Sequence, residues 1–321
     1  GGLAVAGDAF DADLFGVDRL VGFEIVERAA GAPGPGAERS PVVGLPALAF
    51  VCIFVLYPFG QLIATSFTNQ SLLGGGNYVG LANYRTAFAD AAFWRALAFT
   101  GKYTLYITPI LMGLGYLLAL LVLPNQKSFR FVRGIIFVPV VIGLGTSSLL
   151  WFSLFDEQVG LFNKALVDLG IVAKPIVWFT QADRALWAVI ISVTWKVIGF
   201  GMILFVAAMQ SVSKEVVEAS LIDGTSYWQR VKRIYLPLTA RTILLVTLIS
   251  VIGSMLAFEQ LYIMTAGGPR GRTFTTVYWI YQSSFIKFKL GYGAALSVIL
   301  TAIILCGTAL QLALTNRRAQ A

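Results

Sequence analysis

Six apolar runs, near residues 44–65, 99–123, 135–155, 185–209, 242–264 and 292–314, constrain this chain more than any other feature. Each is about the 20 residues a helix needs to cross a hydrocarbon core roughly 30 Å thick. Lipid offers no water to the backbone, so such a run must close its hydrogen bonds within itself. The expected fold class is therefore all-α, a polytopic transmembrane helical bundle of six spans. Composition agrees, since 57% of the 321 residues are hydrophobic and mean hydropathy is +0.78, against roughly 45–50% apolar residues in soluble domains. An even number of spans puts both termini on one side of the membrane.

The runs delimit a membrane domain over 44–314, a preceding extension over 1–43 and a short tail over 315–321. The extension sets three arginines against seven acids, unlike the basic start and short apolar core of a signal peptide. Within it, Leu14, Val17, Val21 and Ile25 suit a weakly amphipathic helix, but the surrounding acids disfavour an anionic lipid surface. Gly31 to Pro41 follows as a flexible linker. The connection at 124–134 carries Lys127, Arg130 and Arg133 without an acid, and basic loops favour the cytoplasm. Both termini and the polar passage after the fourth run are thus expected there. On the other side, Asn77 to Phe93 and Leu161 to Trp178 mix polar and aromatic residues in a way that suits short interfacial helices.

Several chemistries are excluded. The net charge of +8 comes from dispersed residues, which set membrane orientation and give no nucleic-acid patch. The absence of histidine removes imidazole ligands and bases. Cys52 and Cys306 lie in apolar runs as small hydrophobes, with no disulfide or zinc pattern. The single Gly-Lys pair, Gly101-Lys102, lacks a glycine five positions earlier and cannot build a phosphate-cradling loop.

Between the fourth and fifth runs lies a polar elbow over 211–240. Ser213 is placed to cap its first helix, with Glu215 in the first turn where the dipole favours an acid. Gly224 ends that helix, because the reversal requires φ > 0. Ser226 and Gln229 form a capping box for a second helix, on which Tyr227, Val231, Ile234, Tyr235 and Leu238 share one face. Pro237 then kinks the chain into the fifth run. The elbow is too polar for lipid and too well capped for a linker, and its expected place is a cleft in another protein.

Glu218, Ala219 and Ser220, then Gly224, Ile234, Leu236 and Pro237, resemble the "EAA" coupling loop in the membrane subunits of bacterial ABC importers, with Ser220 standing where alanine is usual. Trp195 to Gln210, the TAGGP, YWIYQSSF and GYGAALS segments, and Tyr57-Pro58 in the first run look like the sugar-importing branch, the maltose and glycerol-phosphate type. The resemblance covers 44–314 and is strongest over 190–300. It implies a type I ABC importer permease fold and a subunit that is not itself an enzyme. It also implies a second homologous permease, two ATPase subunits that bind ATP and Mg, and an extracytoplasmic substrate-binding protein. Glu218, Ala219, Ser220, Asp223, Gly224 and Pro237 would then couple to the ATPase.

Ionisable residues inside lipid usually face a cavity or a polar partner. Glu259, beside Phe258 and Tyr262, is the one acid well inside a run. A carboxylate next to aromatic rings suits sugar, accepting hydroxyl hydrogens while a ring covers an apolar sugar face. Pairing with a neighbouring helix or snorkelling outward is the alternative. Trp195 and Lys196 carry the same ambiguity, between the substrate path and an interhelical ion pair. Gly113, Gly115, Gly199 and Gly201 suit close helix packing. Three rival functions stand beside sugar import: an ABC permease for another solute, an ion-coupled carrier, which would place more carboxylates at mid-membrane, and a scaffold without transport.

Overall fold

The computed structural model describes the backbone of residues 48–319 and the side chains of residues 48–313. The acidic extension expected over 1–43, with its amphipathic stretch and linker, lies outside the described residues, as do the side chains of the expected tail. The chain divides after Phe59 into two units. Helix α1 (Leu48–Ser66) runs through the division. It opens into a π turn at Cys52–Leu56, where Tyr57 N–H reaches the Cys52 carbonyl. Pro58 follows, and the wider turn gives its ring room against the carbonyl four residues back.

The second unit consists of helices joined by non-helical connections. In order come α2 (Ala82–Ala89), α3 (Ala91–Leu121), α4 (Lys127–Val141), α5 (Leu144–Leu154), α6 (Leu161–Asp168), α7 (Ala182–Gln210), α8 (Lys214–Ile222), α9 (Tyr227–Leu238), α10 (Ala240–Met255), α11 (Glu259–Thr265), α12 (Thr276–Tyr281) and α13 (Leu290–Ala319). No strand occurs among the described residues, only the isolated bridges Thr68–Tyr78 and Ser71–Lys289. The all-α expectation holds, and α2 and α6 are the short helices expected between spans.

Two spans differ from the straight rods that the apolar runs suggest. The four helices α1, α3, α7 and α13 are each long and apolar enough to cross a membrane. The third run instead breaks between α4 and α5 with a bend of 97°, because Ile142 and Gly143 are both extended. In the fifth, α9 and α10 meet at Thr239 with a bend of 71°. There are six crossings only when each bent pair counts as one. The chain breaks again after α11, with Ala266 at φ 47°, and before it α10 has already ended at Met255, so that α11 starts afresh at Glu259.

Helices α3 and α7 form the axis of the unit, with α10 against α3 and α4 against α7. A ladder of polar contacts joins the antiparallel α3 and α10: Ser254 donates to Thr104 at 2.9 Å, Ser250 to Thr108 at 3.4 Å, and Thr247 to the Met112 sulfur at 3.5 Å. Side-chain hydroxyls of this kind hold helices together where lipid removes any hydrophobic preference for contact. At Gly199 a side chain would collide with the Ile136 carbonyl, so glycine sets the approach of α4 to α7. Gly115 and Gly201 also sit in close packing, against Phe205 and Val246, whereas Gly113 faces open space and does not. One apolar cluster, with Trp151, Phe155, Leu186, Ile190, Leu261 and Met264, sits toward the α5–α6 connection. A second joins Met202 and Phe205 of α7 to Val231 and Tyr235 of α9 and to Val246 of α10.

Candidate functional site: a docking elbow and a lined cavity

The elbow folds largely as its sequence dictates. Gly224 adopts φ 68° with nothing within 4 Å of where a Cβ would stand, so backbone conformation alone reserves the position for glycine. The turn is closed by Thr225, whose amide and hydroxyl both donate to the Ser220 carbonyl, at 3.1 and 2.6 Å. Ser226 and Gln229 form the capping box. Ser213 occupies the N-cap position of α8 but makes no side-chain cap bond. On the second helix a π turn spans Val231–Tyr235, accommodating Pro237 as the first one accommodates Pro58. The extra residue shifts the expected face. Val231, Tyr235 and Thr239 are buried, while Tyr227 and Leu238 are exposed and Ile234 is only half-buried.

Of the coupling candidates, Glu218, Ala219, Asp223, Gly224 and Pro237 are exposed, and Ser220 is buried against its own turn, donating to the Val217 carbonyl at 2.6 Å. The sequence reading passed over the apolar tip, where Ile222 is 87% exposed and Leu221 54%. Two apolar residues just before Gly224 were its available signal.

Beyond the second apolar cluster lies a cavity of about 400 Å³, lined by α3, α7, α10 and the start of α11. Its walls are mostly aliphatic, with Ser250, Ser254, Glu259 and Gln260 as polar points and Tyr103, Phe200 and Phe258 as rings. Phe258 belongs to an aromatic group whose ring centroids lie 5.2 Å from Tyr262, 5.6 Å from Tyr278 and 5.2 Å from Tyr281. Glu259 and Phe258 therefore line the cavity, and Tyr262, 42% exposed, flanks it through Phe258.

Lys196 and Trp195 do not line the cavity. The Lys196 ammonium is buried and donates to the Val140 carbonyl at 3.2 Å, a position near the C-terminus of α4 where backbone carbonyls lack helical partners and a cation is favoured. Glu259 reaches the other side of the same break. Its Oε1 stands 3.0 Å from where a Cβ on Gly145 would be, in the first turn of α5. The two charges attract one another, yet the one ion pair in contact among the described residues is Lys102–Asp183, at 2.6 Å. Trp195 packs edge-on against Trp151 at 5.7 Å in the aromatic cluster. Missing from the sequence reading were Gln260, adjacent to Glu259 and legible as a polar pair within an apolar run, and Gly145, which carried no signal of its own.

No group of three or more residues able to hold a metal occurs among the described residues. A helical membrane bundle with broken spans, a capped polar elbow and a polar-pointed cavity defines a solute permease. Residues 111–320 match the family described as binding-protein-dependent transport system inner membrane component, and the chain belongs to that family. It is 32% identical over 271 residues to the lactose transport system permease protein LacF of Rhizobium radiobacter, covering 81% of this chain and 88% of the relative. It is also 32% identical over 272 residues to the sulfoquinovosyl glycerol transport system permease protein SmoG of Agrobacterium fabrum, covering 83% and 87%. Among solved structures, a bacterial ABC transporter involved in the import of the acidic polysaccharide alginate shares the fold, with a TM-score of 0.74, 20% identity and coverage of 93% and 98%.

Proposed function

We propose that this chain is the membrane subunit through which an ATP-driven importer passes a carbohydrate. The observation that carries the reading is the cavity, with a carboxylate, an amide and aromatic rings at one end, in a chain whose elbow presents a rigid apolar tip. Hydroxyl groups need both acceptors and donors, and the faces of sugar rings pack on aromatic carbon. The named solutes of the relatives, lactose and sulfoquinovosyl glycerol, support the same class.

The chain would work in the bacterial inner membrane with the elbow and both termini cytoplasmic, beside a second homologous permease. An extracytoplasmic binding protein would deliver the cargo, and two ATPase subunits would hold ATP and Mg. In that assembly Glu218, Ala219, Asp223, Gly224, Leu221 and Ile222 enter a groove of one ATPase, where Glu218 meets a cation and Ala219 permits close approach. Ser220 and Pro237 shape the elbow from within and behind. ATP-driven closure of the ATPases then swings the elbow and alternates access to the cavity as a rigid-body movement.

The test is ATP-dependent sugar uptake by the reconstituted complex carrying Gly224→Asp. An aspartate there meets an unfavourable φ and adds charge at the tip, and the expected result is loss of uptake with the complex still assembled. Uptake that persists unchanged, or proceeds without ATP, overturns the coupling reading in favour of an ion-driven carrier.

A further inference from the structure

The charge distribution around the cavity extends that reading, and rests on it, to the class of cargo. Among the described residues that line the cavity, Glu259 alone carries a charge, and no lysine or arginine is present. The nearest cation of note, Lys196, is buried with its ammonium on the Val140 carbonyl, and it does not line the space. Next to Glu259, Gln260 is 9% exposed, lines the cavity and finds no hydrogen-bond partner among the described residues. Because it lines the cavity and makes no side-chain hydrogen bond to the described residues, its amide is free to donate to and accept from a ligand.

We infer that Glu259 and Gln260 together read the hydroxyl groups of an uncharged, polyhydroxylated cargo and reject anionic ones. The carboxylate accepts hydrogens from sugar hydroxyls, and the amide both donates and accepts. A phosphate, sulfate or uronate brought to the same place meets a like charge in apolar surroundings, where water screens it weakly and no cation lines the space, Lys196 being held on the Val140 carbonyl behind it. Discrimination by an opposing charge is a repulsive device, separate from the attractive contacts that hold the right cargo. The related fold that imports alginate serves an acidic polysaccharide, and the sulfoquinovosyl glycerol named for one relative carries a sulfonate, so neither the fold nor the family fixes the charge of the cargo.

The experiment measures saccharide binding to the complete complex in lipid nanodiscs without the binding protein, so that this subunit's own selectivity is read, together with ATP-dependent uptake in vesicles. Lactose and maltotriose serve as neutral probes, and sn-glycerol 3-phosphate and a mannuronate disaccharide as anionic ones. Wild type is expected to bind a neutral probe at least about tenfold more tightly than either anion, a difference of about 1.4 kcal/mol. Glu259→Gln narrows that gap to about threefold or less. Gln260→Leu, similar in bulk, weakens neutral binding about tenfold while leaving the anions excluded. Anions that bind wild type as well as neutral sugars do, or a gap that survives Glu259→Gln, overturn the inference and leave carbohydrate import standing. If neither kind of saccharide binds or is taken up with ATP, the carbohydrate reading falls and takes the inference with it.

Discussion

Asp90 shows how much one side chain can hold. It caps α3 by accepting the Ala92 amide at 2.8 Å, and its other oxygen accepts Trp279 Nε1 at 3.0 Å and the Tyr292 hydroxyl at 2.7 Å. Burial raises its pKa, but the bonds from Tyr292, Ala92 and Trp279 outweigh that and leave it below the ordinary value of 3.8. Since the folded pKa is depressed, the stabilisation is complete above the unfolded value and is lost as pH falls through the folded one. Thermal unfolding of the purified chain, followed by tryptophan fluorescence, is therefore expected to show wild type more stable than Asp90→Asn at pH 7, by about 1–3 kcal/mol. The advantage shrinks below about pH 4. Parallel pH profiles for the two proteins would refute this role. None of it was legible in the sequence, because Trp279 and Tyr292 lie 189 and 202 residues away. Glu259 was legible for the opposite reason, as a lone acid needing no partner to stand out. Lys196 was seen as unusual but its partner was not, since a backbone carbonyl leaves no mark in sequence.

At the scale of elements, apolar length identified the spans and failed to show where they break. The third run is uniformly apolar from Phe137 to Leu150 apart from small and hydroxyl residues, so its hydropathy is that of a straight rod. Pro139 and Gly143 were the available warnings. What stands at the 97° break is tertiary: Lys196 donates to the Val140 carbonyl at the end of α4, and the Glu259 carboxylate lies beside Gly145 at the start of α5. The π turn in α9 escaped for a related reason, because a 3.6-residue period assumes an unbroken α-helical register, and one inserted residue moved the buried position from Leu238 to Thr239. A consequence can be measured. Spin labels at the exposed positions Phe131 and Leu149, one on each side of the break, are expected to give a single narrow distance distribution in wild type and in Lys196→Arg. With Lys196→Met, which keeps bulk but removes the donor, the distribution broadens. The lost charge–carbonyl contact is worth about 0.3–2 kcal/mol, enough to populate a second arrangement. Equal widths in all three would mean that Ile142 and Gly143 set the bend without help.

For the molecule as a whole, the link between elbow and cavity decides whether work done at one reaches the other. Val246 belongs to both, lining the cavity and packing in the cluster that contains Val231 and Tyr235 of α9. Tyr116 of α3 meets Thr239 at 3.2 Å, and Arg133 donates to the carbonyls of Val122, Leu123 and Pro124, where α3 ends. The elbow is thus packed into the same body as α3, α7 and α10, as a lever must be. Sequence alone carried the elbow's turn, caps and glycine, because they are local, and missed this anchorage, because it is tertiary, with Tyr116 and Thr239 lying 123 positions apart. The anchorage makes a prediction that a flexible tether would not. Tyr235→Ala removes a buried ring whose loss costs about 3–5 kcal/mol in a core of ordinary packing, yet leaves every exposed residue of the tip in place. The partner ATPases should then still dock and hydrolyse ATP, while sugar uptake per ATP falls about tenfold or more, the ratio read from paired uptake and phosphate-release assays on one preparation. Tyr235→Phe, which keeps the ring, should restore it. If uptake and hydrolysis fall together in Tyr235→Ala, the ring serves docking or folding, and the elbow must drive the cavity through α8 instead.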